Sequence, residues 1–344
     1  MVLLAKTISC TTYVIALVFL AVAGTSYSQA AEDAKQFYLL GSNASGAGIM
    51  PPPGTTLVNY DFYYTGDASG KAATGILLNE GGARLDLEAN VDVDADYFLK
   101  IPGALWVAPR KVLGGGFGVG VLAPFGWADI SADADVFGTL TLPDGRTFTG
   151  GRSFSINDDT FNFGDPVLMA FLGWNRGNWH WKVTGLLNVP IGGYDADDVA
   201  NIGFNRWAFD ASGAVTWLDP TVGLEVSAVG GFTFNGENPD TDYKTGTEFH
   251  VEYAIMKHFS KQFAAGLVGF HYQQITGDSG AGATLGDFKG RVTTIGPALN
   301  YNTQIRSTPV AMSLRWYHDF NVKNRAEGDA FYFQTTIPLG ASQR

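Results

Sequence analysis

The sequence predicts an all-β protein, a transmembrane antiparallel up-and-down β-barrel of about 12 strands, within a range of 12–14. Three observations predict it. Apolar and polar residues alternate through most of the chain after residue 55. Short turns and longer polar loops alternate between these segments. Only 16 % of the residues are charged, whereas ordinary soluble domains contain ~25 %.

The first 31 residues have the pattern of a secretory signal peptide. Lys6 gives a positive start, an apolar core follows from Tyr13 to Gly24, and Ser28-Gln29-Ala30 supplies small residues for cleavage. We expect cleavage after Ala30 or Ala31, and a retained membrane anchor is the alternative. Cys10 is the one cysteine of the sequence and lies in this segment, so we expect the exported chain to contain no disulfide.

Residues 32–54 are neither strand-like nor charged along most of their length. They include Pro51-Pro52-Pro53, and proline cannot join a β-ladder because it has no N–H group. Two interpretations stay open for this segment. It is a periplasmic lead-in to the barrel, or it is an N-terminal plug that lies in the barrel and gates small solutes.

The predicted barrel occupies residues 55–340 and contains twelve alternating segments. In chain order, their apolar faces begin at Val58, Leu85, Val119, about Gly164, Trp179, Trp207, Val222, Phe249, Val268, Ile295, Val310 and Phe331. Alternation with period two is typical of strands that have one apolar and one polar face. A soluble β-sandwich or barrel would also alternate, and it is the rival interpretation.

The connections between the segments favour the membrane. Short turns occur at 175–178, 219–221 and 258–262, and longer polar loops at 191–204, 236–246 and 277–289. The longest loop, 128–163, contains Pro143-Asp144-Gly145-Arg146, which predicts the turn of an extra hairpin. Bacterial outer-membrane barrels combine short periplasmic turns with long external loops and an even number of strands. The pattern therefore predicts an even-stranded barrel with both ends in the periplasm.

Closure follows from the physics of the bilayer, because lipid cannot hydrogen-bond the open edge of a sheet. Tryptophan favours the membrane interface. Trp174, Trp179, Trp181 and Trp217 lie beside the predicted periplasmic turns, and Trp127 and Trp207 lie toward the external ends.

The second segment carries an acidic row on one face, composed of Asp86, Glu88, Asn90, Asp92, Asp94 and Asp96. A row of charges facing lipid would be prohibitive, so it must face the lumen or emerge from the membrane. We expect it to line the lumen, either as a solvated surface or as a selectivity feature that repels anions. One strand does not supply the converging oxygens that calcium needs, so we predict no metal site.

The same alternation assigns further polar residues to the lumen. These candidates are His180, Lys182, Glu225, Glu248, His250, Glu252, His271 and Arg315. Most phenylalanine, tyrosine and tryptophan residues fall on the opposite phase, which we expect to face lipid. The aromatic residues therefore do not predict an aromatic-binding lumen.

Catalysis is not predicted, and neither is a cofactor. His318 and Asp319 are adjacent and so lie on opposite faces of a strand, and no serine has the surroundings of a nucleophile. The net charge of −11 disfavours nucleic acid as a partner, because nucleic acid needs a basic face.

Several motifs resemble one family. The start Gly46-Ala-Gly48-Ile-Met-Pro51-Pro52-Pro53-Gly54 with Asn59-Tyr60, then Gly164-Asp165-Pro166, and Asn188-Val-Pro-Ile-Gly192-Gly193-Tyr194 are similar to the "meta-pathway of phenol degradation" family of outer-membrane proteins. The resemblance extends over nearly the whole exported chain. It implies an outer-membrane β-barrel associated with the uptake of aromatic or other hydrophobic compounds, and it carries no agreed substrate residues.

The expected function is therefore a bacterial outer-membrane channel that passively admits small hydrophobic or aromatic compounds. Its expected partners are outer-membrane lipid, the solute, and the barrel assembly machinery during insertion, after export through the Sec pathway. A barrel hydrolase and a non-conducting structural or adhesive barrel are the alternatives.

Overall fold

The computed structural model describes residues 35–78, 83–283 and 289–339. The regular elements of these residues are β-strands, and no helix within them is long and apolar enough to cross a membrane. The predicted signal peptide, residues 1–31, lies outside the described residues.

Fourteen strands are formed within these ranges. In chain order they are β1 (Gly54–Leu78), β2 (Ala83–Val107), β3 (Gly116–Leu122), β4 (Phe125–Thr141), β5 (Thr147–Phe163), β6 (Val167–Arg176), β7 (Trp179–Asn188), β8 (Ala208–Asp219), β9 (Leu224–Asn235), β10 (Glu248–His258), β11 (Phe263–Gln274), β12 (Arg291–Ile305), β13 (Thr308–Lys323) and β14 (Glu327–Leu339). All of the pairings are antiparallel.

The sheet closes on itself, because β1 pairs with both β14 and β2. Strands β1, β2, β3 and β6 to β14 form a closed barrel of twelve strands, which confirms the predicted fold class. The two remaining strands, β4 and β5, continue beyond this barrel.

Strand β2 changes partner along its length. Its residues 103–107 pair with β3, and its residues 84–100 pair with β4. The region predicted as the external loop 128–163 is therefore mainly strand. The predicted hairpin turn is confirmed, since the Leu142 amide donates to the Arg146 carbonyl at 2.8 Å. We call β4, β5 and residues 84–96 of β2 the outer sheet.

Two rows of residues that run across neighbouring strands mark the boundary between the lipid-facing surface of the barrel and the water-exposed surface of the outer sheet. One row of outward-facing residues is aromatic: Trp316, Phe331, Tyr63, Phe98, Trp127 and Phe161. The next row is polar: His318, Asp329, Thr65, Asp96, Asp129 and Asp159. Aromatic residues favour the interface and carboxylates favour water, so the outer sheet extends beyond the apolar band. Strand β2 has 25 residues, about 80 Å at ~3.3 Å per residue, which far exceeds a band of ~25 Å.

The interior of the barrel is filled. Residues 35–50, which we call the inner segment, lie inside it and bring Phe37, Tyr38 and Leu40 into the main buried cluster. Tyr272, Tyr317, Tyr332 and Met256 of the wall belong to the same cluster.

This filling corrects the predicted phase of some strands. The apolar face of β1, with Phe62 and Tyr64, lies inward rather than toward lipid, and the Phe62 ring packs 4.8 Å from the Tyr332 ring. The physical reason is that the inner segment makes part of the interior apolar, so aromatic side chains are stable there.

Candidate functional site

Carboxylates of the barrel wall hold the lower part of the inner segment. The Asn43 amide donates to Glu252 Oε2 at 3.0 Å. Ser45 Oγ and the Gly46 amide donate to Glu225 Oε1 at 3.0 and 2.7 Å. Glu225 belongs to β9 and Glu252 to β10, so the wall fixes this segment at several points.

Donors of strands β13 and β14 hold its upper part. Arg315 Nη1 donates to the Ser42 carbonyl at 2.9 Å, and the Tyr317 hydroxyl donates to the Gly41 carbonyl at 2.9 Å. The Tyr332 hydroxyl donates to the Leu40 carbonyl. Gly41 has φ of +83° and a Cβ there would lie 2.8 Å from the Tyr317 ring, so this position needs glycine.

A buried histidine contacts both the segment and the wall. His250 Nε2 lies 2.9 Å from Asp210 Oδ2, and the Tyr38 ring stacks on the imidazole with centroids 3.6 Å apart. Thr233 Oγ1 also donates to Asp210 Oδ2, at 2.8 Å. His250 was predicted from the sequence and Asp210 was not, although Asp210 lies on the inward phase of β8.

Seven of the predicted lumen residues lie on the inner face of the wall. They are His180, Lys182, Glu225, Glu248, His250, Glu252 and Arg315. Several of them meet other polar groups. Glu248 accepts from the Tyr272 hydroxyl at 2.6 Å, and Glu225 Oε2 lies 2.9 Å from His258 Nε2.

The predicted acidic row of β2 does not line the lumen. Asp86, Glu88, Asn90, Asp92 and Asp94 point away from the interior, on the water-exposed face of the outer sheet. The opposite phase of β2 faces inward, where Val93 and Ala95 pack against Ile130 and Ile202. The prediction was wrong because this stretch lies beyond the membrane, where the outer face is polar and the inner face is covered by protein.

His271 also lies on the other face of its strand. It shares its phase with Leu267, which is 54 % exposed, whereas Val268, Phe270 and Tyr272 are buried inside. His271 Nδ1 lies 2.8 Å from Thr293 Oγ1. The apolar residues of β11 pack on the inner segment, and this inverts the expected phase.

An apolar chamber of about 220 Å³ lies above the inner segment, toward the outer end of the barrel. Phe37 and Leu40 form its floor, Phe62 and Tyr332 belong to the barrel wall, and Ile202 belongs to the loop between β7 and β8. Its polar lining residues are Lys35, Gln36, Asp165, Asn201, Asp319 and Arg325. The chamber has the size and lining of a site for a small apolar molecule.

Asp165 fastens the loop that covers this chamber. Its buried carboxylate accepts from Asn188 Nδ2 at 2.8 Å, the Gly192 amide at 2.7 Å and the Phe204 amide at 2.9 Å. Two of the motifs quoted for the family resemblance, around Asp165 and around Asn188, therefore meet in space. The sequence showed both motifs and gave no sign of their contact.

The same loop carries an acidic cluster. Desolvation raises the pKa of Asp198, and the carboxylates of Asp195, Asp158 and Asp197 raise it further. The Asp158 carboxylate accepts from the Val199 and Ala200 amides, each at 2.8 Å. Within the described ranges, no group of three or more histidine, cysteine, aspartate or glutamate residues is arranged to hold a metal ion.

The ion pair of Lys100 with Asp61 lies on the outward face of the wall. Lys100 Nζ contacts Asp61 Oδ1 at 2.6 Å, and Asn59 Nδ2 donates to Asp61 Oδ2 at 2.8 Å. In the β-ladder, Asp61 and Lys100 are two residues below Tyr63 and Phe98 of the aromatic row. They therefore lie on the lipid side of that row.

Comparison with known proteins agrees with this architecture. A family model described as "Putative MetA-pathway of phenol degradation" matches residues 66–335. An outer membrane channel from Pseudomonas putida F1 has 17 % sequence identity and a TM-score of 0.58, and the match covers 87 % of this chain and 98 % of that chain. This likeness shows a shared fold.

A FadL homologue from Pseudomonas aeruginosa has 9 % identity over 86 % of this chain and 93 % of its own. Its TM-score of 0.41 is too low to establish a shared fold. A search of curated protein sequences finds no similar protein.

Proposed function

Since the chain belongs to the family described as "Putative MetA-pathway of phenol degradation" and folds as an outer-membrane barrel, we propose that it passively admits small hydrophobic or aromatic compounds. We also propose Sec-dependent export with removal of residues 1–31, and insertion of the barrel, residues 55–340, by the barrel assembly machinery.

The apolar chamber is the observation that carries this proposal. Its aromatic and aliphatic lining favours an apolar solute by roughly 25 cal/mol for each Å² of apolar surface removed from water. A solute in the chamber lies directly above the inner segment, which stands between the chamber and the periplasmic half of the lumen.

Residues 32–54 act as the gate in this proposal. The inner segment, residues 35–50 of this stretch, is held by single hydrogen bonds spread over several strands rather than by strand pairing. Such contacts can be exchanged one at a time, whereas a strand leaving the sheet would break a whole ladder of bonds. Displacement of the segment opens the route downward.

The test uses uptake of 1-N-phenylnaphthylamine, a neutral apolar dye that an intact lipopolysaccharide outer membrane excludes. Cells that express the protein should show a several-fold faster rise of dye fluorescence than cells without it. Ala95→Trp places an indole in the chamber and should reduce this rate toward the background. Ala211→Trp, on the outward face of β8, is the matched control and should leave the rate unchanged.

Equal rates in cells with and without the protein would contradict the proposed function. Each variant is first checked for the heat-sensitive mobility on an SDS gel that folded barrels show, so that a failure to fold is not mistaken for a closed route.

A further inference from the structure

A second cavity lies in the periplasmic half of the lumen, between the inner segment and β6 to β8. Its volume is about 30 Å³, which is room for about two water molecules or one carboxylate group. Asn43 belongs to the segment side of its lining, and Lys182, Thr184 and Ser212 belong to the wall side. Lys182 is three residues after Trp179, at the periplasmic end of β7.

Lys182 has no counter-charge among the residues that the structure describes. Within residues 35–78, 83–283 and 289–339, no carboxylate lies within ion-pair distance of its ammonium group. Its cross-strand neighbours, Gly173 and Ala214, are small and neutral. The contact found for the ammonium is the Phe171 ring, with the centroid 5.9 Å away. Lys182 is half-buried, and a partly desolvated charge without a partner is costly, so an anion at this position would be stabilised.

The acids of the lumen are already engaged with other groups. Asp210 is bonded to His250 and Thr233. Glu225 accepts from the inner segment and from Ser227, and Glu252 accepts from the Asn43 amide. Asp210 Oδ1 and Glu252 Oε1 have no hydrogen-bond partner, but neither residue lines the cavity. Among the described residues that line it, Lys182 is the one charged side chain.

The upper chamber also contains a cationic N–H group that makes no hydrogen bond, on Arg325, whose guanidinium stacks on the Tyr272 ring with the centroid 4.6 Å away. Arg325 lines that chamber, and its Nη1 is buried and makes no hydrogen bond, whereas its Nη2 donates to Gln36 Oε1 at 2.6 Å. The upper chamber thus combines an apolar lining with the cationic N–H group of Arg325, and the lower cavity combines the Lys182 ammonium with hydroxyl groups and aliphatic side chains. A solute with an apolar body and one anionic end fits either cavity by its charged end.

We propose that Lys182 binds the carboxylate of a permeating aromatic or aliphatic acid, and that the barrel favours such organic anions over neutral compounds of the same shape. The ammonium supplies the charge, and the Thr184 and Ser212 hydroxyls supply further hydrogen bonds to the carboxylate oxygens. This inference rests on the proposed function for its meaning, but the binding site can be tested without transport.

The test is isothermal titration calorimetry of the folded, detergent-solubilised full-length protein at about pH 6.5, where both the lysine and benzoate are charged, with benzoate and with benzyl alcohol as the neutral analogue. Lys182→Met should weaken benzoate binding about tenfold, which is the size expected for one charged hydrogen bond. Lys182→Arg should retain most of the affinity. Lys257→Met, which removes an outward-facing lysine at the periplasmic end of β10, is the matched control and should bind benzoate as the wild type does.

Equal benzoate affinities for the wild type and Lys182→Met, or tighter binding of benzyl alcohol than of benzoate, would overturn the inference. The dye-uptake experiment decides the proposed function separately. If benzoate binding depends on Lys182 but the dye is not taken up, the Lys182 site is supported and the proposed uptake of neutral compounds is contradicted. If the dye is taken up but benzoate binding does not depend on Lys182, the proposed function is supported and the Lys182 site is contradicted.

Discussion

The pair formed by Asp61 and Lys100 shows how one residue contact can matter on a lipid-facing wall. A charge on this face costs about 2–4 kcal/mol at the bilayer midplane and about 0–1 kcal/mol near the interface. The pair lies between these limits, two residues below the aromatic row. Their mutual contact and the Asn59 amide offset part of the cost.

Lys100→Met should therefore destabilise the barrel by about 1–2 kcal/mol, because it leaves the Asp61 carboxylate without its counter-charge in the apolar band. The double variant Asp61→Asn with Lys100→Met removes both charges and should recover most of that loss. Urea unfolding in phospholipid vesicles measures the difference. A double variant less stable than Lys100→Met would show that the pair does not act as a unit.

At the scale of elements, the branch of β2 toward β4 depends on close backbone approach. A Cβ on Gly126 of β4 would lie 1.9 Å from the Phe98 carbonyl oxygen, and a backbone oxygen cannot rotate away. Gly126→Ala should cost about 1–3 kcal/mol, the usual range for overpacking. Gly150→Ala on β5 meets nothing within 4 Å and should change stability by about 0.5 kcal/mol or less. The temperature at which the folded form is lost on an SDS gel compares the two, and equal temperatures would contradict the account.

The inner segment is the element whose motion the proposed function requires. Asn300 Nδ2 donates to Ser45 Oγ at 3.0 Å, so the double variant Ser45→Cys with Asn300→Cys places two thiols together. Oxidation should tie the segment to β12 and slow dye uptake several-fold, and reduction should restore the rate. Unchanged uptake in the oxidised protein would show that the segment does not gate the route.

The loop between β7 and β8 should respond to pH through Asp198. The pKa of this carboxyl is raised in the folded loop, so its favourable contribution is present at low pH and is lost as the pH rises through that pKa. A nitroxide label at Ala196→Cys should become less mobile as the pH falls from about 7 to about 4. Asp198→Asn should reduce this change, and an identical pH response in both proteins would contradict the assignment.

The positions of single strands could be predicted from the sequence, whereas the inward face of some strands could not. Alternation located the twelve strands of the barrel, because one face of each contacts lipid over part of its length and period two is strict there. Alternation does not say which face is inside when both faces carry apolar groups somewhere along the strand. Which face of β1, β2 and β11 lies inward depends on the inner segment and on how far the outer sheet extends beyond the membrane. Both are non-local properties of the fold.

The chamber could not be predicted for the same reason, since its lining comes from at least nine separate parts of the chain.

At the scale of the whole molecule, the barrel combines a water-exposed outer sheet, an apolar band and a filled lumen in one closed sheet. Sequence composition predicted the membrane environment because the low charge and the aromatic ends are properties of the whole surface. The central claim is that this surface stands in the outer membrane with the outer sheet outside the cell and the chamber beneath it.

Labelling of intact cells with a membrane-impermeant maleimide tests that claim most directly. A cysteine at Asp92→Cys, on the exposed face of the outer sheet, should react fully in intact cells. A cysteine at Leu267→Cys, on the lipid-facing side of β11, should remain unlabelled until the membrane is dissolved. Protection of Asp92→Cys in intact cells, or reaction of Leu267→Cys there, would contradict the account.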